Sequence, residues 1–149
     1  MLKAKDIMTR AVITVNPSTT IEKLAHILIE HKISGVPVVN DEGALIGIVT
    51  ENDLISKNKR LHIPTIMRLF DAYIMLESPA AIEKEIKKMA AVTVNDIYIK
   101  NVITVTEETT AEEIATIMSE KKTYLIPVVA GTKIVGIIGK MDLIKGIAG

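Results

Sequence analysis

The sequence predicts an α+β protein built from two copies of one strand–helix–strand–strand–helix unit. Two observations carry this. The chain aligns on itself, residues 6–56 with 96–145 after one residue is dropped in the turn near Asp41. Within each copy, apolar runs of strand length are separated by turn signals and by a stretch of helical periodicity. Asp6-Ile7 matches Asp96-Ile97, Val12 to Val15 matches Val102 to Val105, Pro37-Val38-Val39 matches Pro127-Val128-Val129, and Asp53-Leu54-Ile55 matches Asp142-Leu143-Ile144.

Each element follows from its residues. Val12 to Val15 is an extended run closed by Asn16-Pro17, because the residue before a proline is biased away from helix. Thr19 and Glu22 have capping-box spacing, and Ile21, Leu24, Ala25, Leu28 and Ile29 then recur on one helical face. Thr109 and Glu112 repeat the signal ahead of Ile114, Ala115 and Met118. Gly35 is expected to end the helix. Val36 to Val39 reads as a strand, Asp41-Glu42-Gly43 as a hairpin turn and Leu45 to Val49 as the return strand, with Thr50 opening the last helix. A unit of about 50 residues buries too little surface to stand alone, so the copies are expected to pack on each other.

The boundaries that follow are 1–58 for the first repeat, 59–92 for a helical linker and 93–149 for the second repeat. The linker belongs to neither copy. Ile66, Met67, Leu69, Phe70, Tyr73 and Ile74 form a wide apolar helical stripe, and Ser78-Pro79 has the form of a cap and first turn for another helix through Met89. The segment therefore reads as a structured helical hairpin.

Composition narrows the function classes. Eighteen basic and eighteen acidic residues cancel, so no global field draws the chain to nucleic acid or to an anionic membrane. There is no cysteine, which removes disulfides, thiol nucleophiles and thiolate metal sites. No apolar run reaches the roughly 20 residues that span a bilayer, and the N-terminal residues lack a signal-peptide core, so a cytoplasmic protein without membrane insertion is expected. Aromatics are only 3%, which leaves the core to aliphatic side chains. His26 and His31 are five apart, poor spacing for a shared metal, and no elbow serine, phosphate loop or His-Glu-x-x-His motif is present. Neither a metal nor catalysis is expected.

The candidate chemistry lies where each return strand breaks into the last helix. Gly47 to Asp53 recurs as Gly136 to Asp142, with an acid in the first helical turn of each. A helix start offers unpaired N–H groups to phosphate, and a carboxylate three residues on can accept from a ribose diol. Thr50-x-x-Asp53 is equally a capping-box spacing. In the second copy Gly139 has replaced the hydroxyl while Asp142 persists. Lys32, Lys121, Lys122, Arg10 and Lys100 are cations near these ends.

The ordered series Asp-Ile-Met, Val-Ile-Thr-Val, Pro-Val-Val and Gly-Ile-Val-Thr-x-x-Asp-Leu, repeated over almost the whole chain, resembles the cystathionine-β-synthase (CBS) domain pair, or Bateman module. The resemblance implies a pseudo-twofold pair of repeats with two clefts between them. Such modules bind adenosine compounds such as AMP, ADP, ATP or S-adenosylmethionine, and commonly pair into a disc. It implies a first cleft of Thr50, Asp53 and Ile48 with a base pocket from Tyr98, Ile103, Thr123, Tyr124 and Leu125. It implies a second cleft of Asp142, Ile137, Gly139 and Met141 with Met8, Ile13, Ile33, Ser34 and Gly35. Thr50 and Asp53 stand as the complete site, Gly139 and Asp142 as the reduced one, and Tyr124 as a face on which a purine could stack.

The expected function is a regulatory module with no obligatory cofactor, signalling to an unidentified effector protein. A homodimer is expected through the linker stripe and the outer helices near Leu54 and Leu143. The alternative is a structural or oligomerisation module whose clefts are vestigial.

Overall fold

The computed structural model describes residues 1–56 and 92–149. The predicted helical hairpin, with its stripe of Ile66, Leu69, Phe70 and Tyr73, lies outside the described residues, as do His62 and Met67, Met75 and Met89.

The described elements are α1 (Ala4–Ile7), α2 (Ile21–His31), β1 (Gly35–Val39), β2 (Leu45–Thr50), α3 (Glu51–Ser56), one 3-10 turn (Val94–Asp96), α4 (Ala111–Lys121), β3 (Leu125–Ala130), β4 (Lys133–Gly139) and α5 (Lys140–Ala148). β1 pairs antiparallel with β2, Gly35 opposite Thr50, and β3 with β4, Leu125 opposite Gly139. Both hairpins carry a bulge at the same place, between Val38 and Val39 and between Val128 and Val129. Ile46 and Val135 are the extra residues, and the added twist is matched in the two halves. Gly43 and Gly131 supply the positive φ of the two turns, +78° and +67°.

Three details differ from the sequence reading. The run Val12 to Val15 pairs at one position only, Val15 parallel to Val38, where Val15 N–H donates to the Pro37 carbonyl and Val39 N–H to the Val15 carbonyl. Proline at 37 has no N–H of its own to extend that ladder. The helix caps sit one residue later than predicted. Thr20 accepts from Lys23 N–H, and Thr110 forms the capping box with Glu113, while Thr19 and Thr109 close the preceding turns by accepting from Asn16 and Thr106 N–H. Adjacent threonines satisfy both ends, so spacing alone could not choose between them. Finally, Gly35 does not end the helix. α2 stops at His31 with Lys32 in the left-handed region (φ 52°), α4 at Lys121 with Lys122 likewise (φ 51°), and Gly35 begins β1.

Two aliphatic cores result. Leu24, Val36, Val38 and Val49 are fully buried in the first, Ile114, Ile126, Val128 and Ile138 in the second. Each core is completed by the segment that leads into the other repeat. Val92, Val94 and Ile97 lie in the first core, Ala4 and Met8 in the second. The backbone crosses the same way. Ile99 exchanges both hydrogen bonds with Ile48 on β2 (2.9 and 2.8 Å), and Thr9 exchanges both with Ile137 on β4 (2.8 and 2.9 Å). The bridges Lys3 to Thr110 and Thr20 to Thr93 repeat this symmetry at the helix starts. At the far end the hairpin turns meet, with Leu45 N–H donating to the Thr132 carbonyl and Lys133 Nζ to the Glu42 carbonyl.

Candidate nucleotide clefts between the repeats

Both junctions are built alike. β2 ends at Thr50 and α3 begins at Glu51; β4 ends at Gly139 and α5 begins at Lys140. The acid three residues after each strand end turns back to the backbone, Asp53 Oδ2 accepting from Thr50 N–H and Asp142 Oδ2 from Gly139 N–H, each at 2.9 Å. Such a bond fixes a carboxylate that would otherwise sample several rotamers, and leaves its second oxygen to be used.

The two acids differ in what that second oxygen meets. Asp53 is 3% exposed, and the Thr50 hydroxyl donates to the same Oδ2 at 3.2 Å. Among the described residues its Oδ1 accepts no hydrogen bond. Asp142 is half-buried, and its Oδ1 accepts from the Thr9 hydroxyl at 3.2 Å. Thr9 is the residue that sequence reasoning missed. It arrives from the first repeat on the crossed leader, and the only signal for it was that the self-alignment sets it opposite Ile99, a polar residue against an apolar one.

The remaining expected residues fall into three groups. Met8 and Tyr98 are equivalents that cover glycines. The Tyr98 ring lies where a Cβ on Gly47 would be, and the Met8 thioether where one on Gly136 would be, so both pack into the cores beside the junctions. Gly35, Thr50, Leu125 and Gly139 come together between the junctions. A Cβ on Gly35 would lie 2.9 Å from both Leu125 Cδ2 and Thr50 Cγ2, and one on Gly139 4.0 Å from Leu125 Cδ1. The loop residues frame the rim. The Ser34 carbonyl accepts from Glu51 N–H at 2.8 Å, Ile13 and Ile33 pack half-buried on the first core, and Ile48 is buried on β2. Ile103, Thr123 and Ile137 are half-buried, and Met141 is exposed. Tyr124 is 47% exposed, with the ammonium of Lys140 4.9 Å over its ring. One face that could receive a purine therefore already holds a cation.

No group of residues able to hold a metal ion occurs among the described residues, and none of their helices is long and apolar enough to cross a membrane.

Fold and junctions together define a two-repeat module in which each return strand pairs with a leader from the opposite repeat and Asp142 is bonded by Thr9 of that leader. The chain belongs to the CBS-domain family: the family model of the CBS domain matches residues 4–59 and 94–149. Solved structures agree. The CBS domain of a CBS-domain-containing membrane protein from Sphaerobacter thermophilus is 30% identical with a TM-score of 0.73, covering 97% of this chain and 87% of that one. The CBS domain pair of protein MJ0100, solved with 5′-methylthioadenosine and S-adenosyl-L-methionine, is 27% identical with a TM-score of 0.71, covering 100% and 98%. The uncharacterized protein MJ1426 of Methanocaldococcus jannaschii is 51% identical over 53 residues, 36% of this chain and 32% of that protein. The chain spans from about a third to under three fifths of the length of the curated relatives it matches first.

Proposed function

We propose that the chain is a regulatory module that binds an adenosine-containing ligand in the clefts between its repeats and passes that occupancy to a partner protein. The observation that carries this is the pair of backbone-anchored acids, each at the end of a return strand that pairs with a leader from the opposite repeat, with Thr9 reaching Asp142 across that boundary. A ribose diol offers the two donors such a carboxylate lacks, and Asp53, 3% exposed with one oxygen unpartnered among the described residues, has reason to take them. The related pair of MJ0100 holds an S-adenosyl compound and its thioether nucleoside. AMP, ADP, ATP and S-adenosylmethionine are the candidate ligands; no obligatory cofactor, catalysis or nucleic acid enters this reading, and the cytoplasm is its proposed place.

A ligand acts only by favouring one arrangement of the repeats over another. Because the leaders cross, a group drawn onto Asp142 competes with Thr9 and pulls on the first repeat's leader as well as on α5. The partner surface proposed here is a second copy of the chain. Leu143, expected on that surface, is buried and Leu54 half-buried; their neighbours Ile55, Ile144 and Ile147 are exposed instead and form the outer apolar face of α3 and α5.

Calorimetric titration with AMP, ATP and S-adenosylmethionine tests the reading. Saturable binding that weakens in Asp142→Ala or Asp53→Ala is expected. If none binds below millimolar, the module is structural, its acids serving as caps. Sedimentation equilibrium tests the dimer, which a clean monomer rules out.

A further inference from the structure

The two crossed leaders make the same backbone bonds. Ala4 N–H donates to the Thr109 carbonyl, Lys5 N–H to that of Glu107, and Ala111 N–H to that of Leu2, at 2.7, 3.1 and 2.9 Å. In the other half Val94 N–H donates to Thr19, Asn95 N–H to Pro17, and Ile21 N–H to Val92, at 2.8, 2.9 and 3.2 Å. The pairs Thr9–Ile137 and Ile99–Ile48 complete the two sets. Any difference in how firmly the leaders are held therefore comes from their side chains.

The first leader buries less. Ala4 stands where the second leader has Val94, both fully buried, and so lacks two methyls. Leu2 is 41% exposed where Val92 is 8%, and Ile7 is half-buried where Ile97 is buried. Met8 is its one large buried side chain, against Val92, Val94 and Ile97 in the other. Polar contacts stand in for the missing burial. Lys3 and Lys5 both pair with Glu108, and the Thr9 hydroxyl donates to Asp142. Thr93, Asn95 and Ser18 hold the equivalent positions in the other half, so the ionic clasp has no counterpart there. Exposed ion pairs replace little of what aliphatic burial supplies. On α5 the leader rests over a glycine, where a Cβ on Gly146 would lie 2.7 Å from Ile7 Cγ2.

We propose that residues 1–9 form a releasable strap on the second repeat, while residues 92–99 are a fixed part of the first core. Release takes the Thr9 hydroxyl off Asp142 Oδ1 and frees the Ile137 N–H and carbonyl on β4. Opening of the strap and uncovering of the Asp142 junction are thus one event, governed by the ionic clasp at the strap's other end. This stands whether or not an adenosine ligand binds.

Native-state hydrogen exchange on the full chain, read by NMR, tests it. Protection of the Ala4, Lys5 and Thr9 amides should be at least about tenfold lower than that of Val94, Asn95 and Ile99, the scale of two buried methyl groups. Glu108→Gln, or about 0.5 M sodium chloride on the wild type, should lower protection of the first leader by roughly threefold and leave the second unchanged. Gly146→Ala presses on Ile7 while favouring the α5 helix, and should act in the same direction. Thr9→Val removes the hydroxyl alone and should lower protection at Ala4 and Lys5 as well as at position 9. Equal protection of the two leaders, or changes shared by both, overturns the proposal. So does an effect of Thr9→Val confined to position 9, since the strap would then not open as a unit.

Discussion

Leu125 of the second repeat occupies the space that the absent side chain of Gly35 leaves in the first. The two are equivalents in the repeat, one large and one without a Cβ, and they meet between the two clefts. A methyl at Gly35 would lie 2.9 Å from Leu125 Cδ2 and 2.8 Å from the Val49 carbonyl oxygen. Leucine can shift but the strand carbonyl cannot. Gly35→Ala should therefore destabilise the protein by about 1–3 kcal/mol, and Leu125→Ala in the same chain should not restore it. Urea denaturation of the single and the double variant checks this.

Lys32 and Lys122 hold left-handed conformations at the ends of α2 and α4, where a side chain is crowded against its own backbone. Glycine relieves that crowding but loses more freedom on folding. The first effect is the larger, roughly 1–2 kcal/mol against 0.5–1 kcal/mol. Lys122→Gly should raise stability by about 0.5–1 kcal/mol, and Lys122→Ala should not, which thermal unfolding will show.

Asp53 and Asp142 are caps whatever else they do. Asp53→Ala strands a half-buried Thr50 N–H and should cost about 1–2 kcal/mol. The more open Asp142→Ala should cost about 0.5–1 kcal/mol. Unfolding midpoints measured without ligand give these values, so that any loss of binding can be separated from loss of fold.

Glu108 ties the N-terminal leader to the second repeat. Hydrogen bonds from Lys3 and then Lys5, together with their charges, hold its carboxyl down at about 2. Lys5 is raised in turn, chiefly by its bond to Glu108. A depressed acid contributes stability above its unfolded value, and that contribution is lost as pH falls through the folded one. The tie should therefore persist through mild acid and release between about pH 4.5 and 2. The raised Lys5 acts at the other end, its share present below 10.5 and lost as pH rises past that value. Carbon-detected NMR of the Glu108 carboxyl should give the low midpoint, and Lys3→Ala with Lys5→Ala should return it to the ordinary carboxylate range.

The repeat, the two hairpins and the two acid junctions were legible because each is local, a turn, a strand-length apolar run or a three-residue spacing. The crossed leaders were not. Ile99 on Ile48 and Thr9 on Ile137 are long-range pairings of single residues, which leave no periodicity to read. The αL lysines were hidden for another reason: glycine is the usual signal for that conformation, and Gly35, three residues on, drew the helix end toward itself. Tyr124 was legible as an aromatic near a cleft, but that Lys140 covers it depends on tertiary packing.

Crossing of the leaders also bears on synthesis. The first repeat leaves the ribosome without Val92, Val94 and Ile97, three aliphatic side chains of its core. At roughly 1.5–3 kcal/mol for each side chain buried, they supply an amount comparable to the whole net stability of a small protein. Meanwhile Ala4 and Met8, the earliest residues made, wait for a core that does not yet exist. The first core is complete once Ile97 has emerged, whereas the second cannot close until its own strands are made and take back the first residues of the chain.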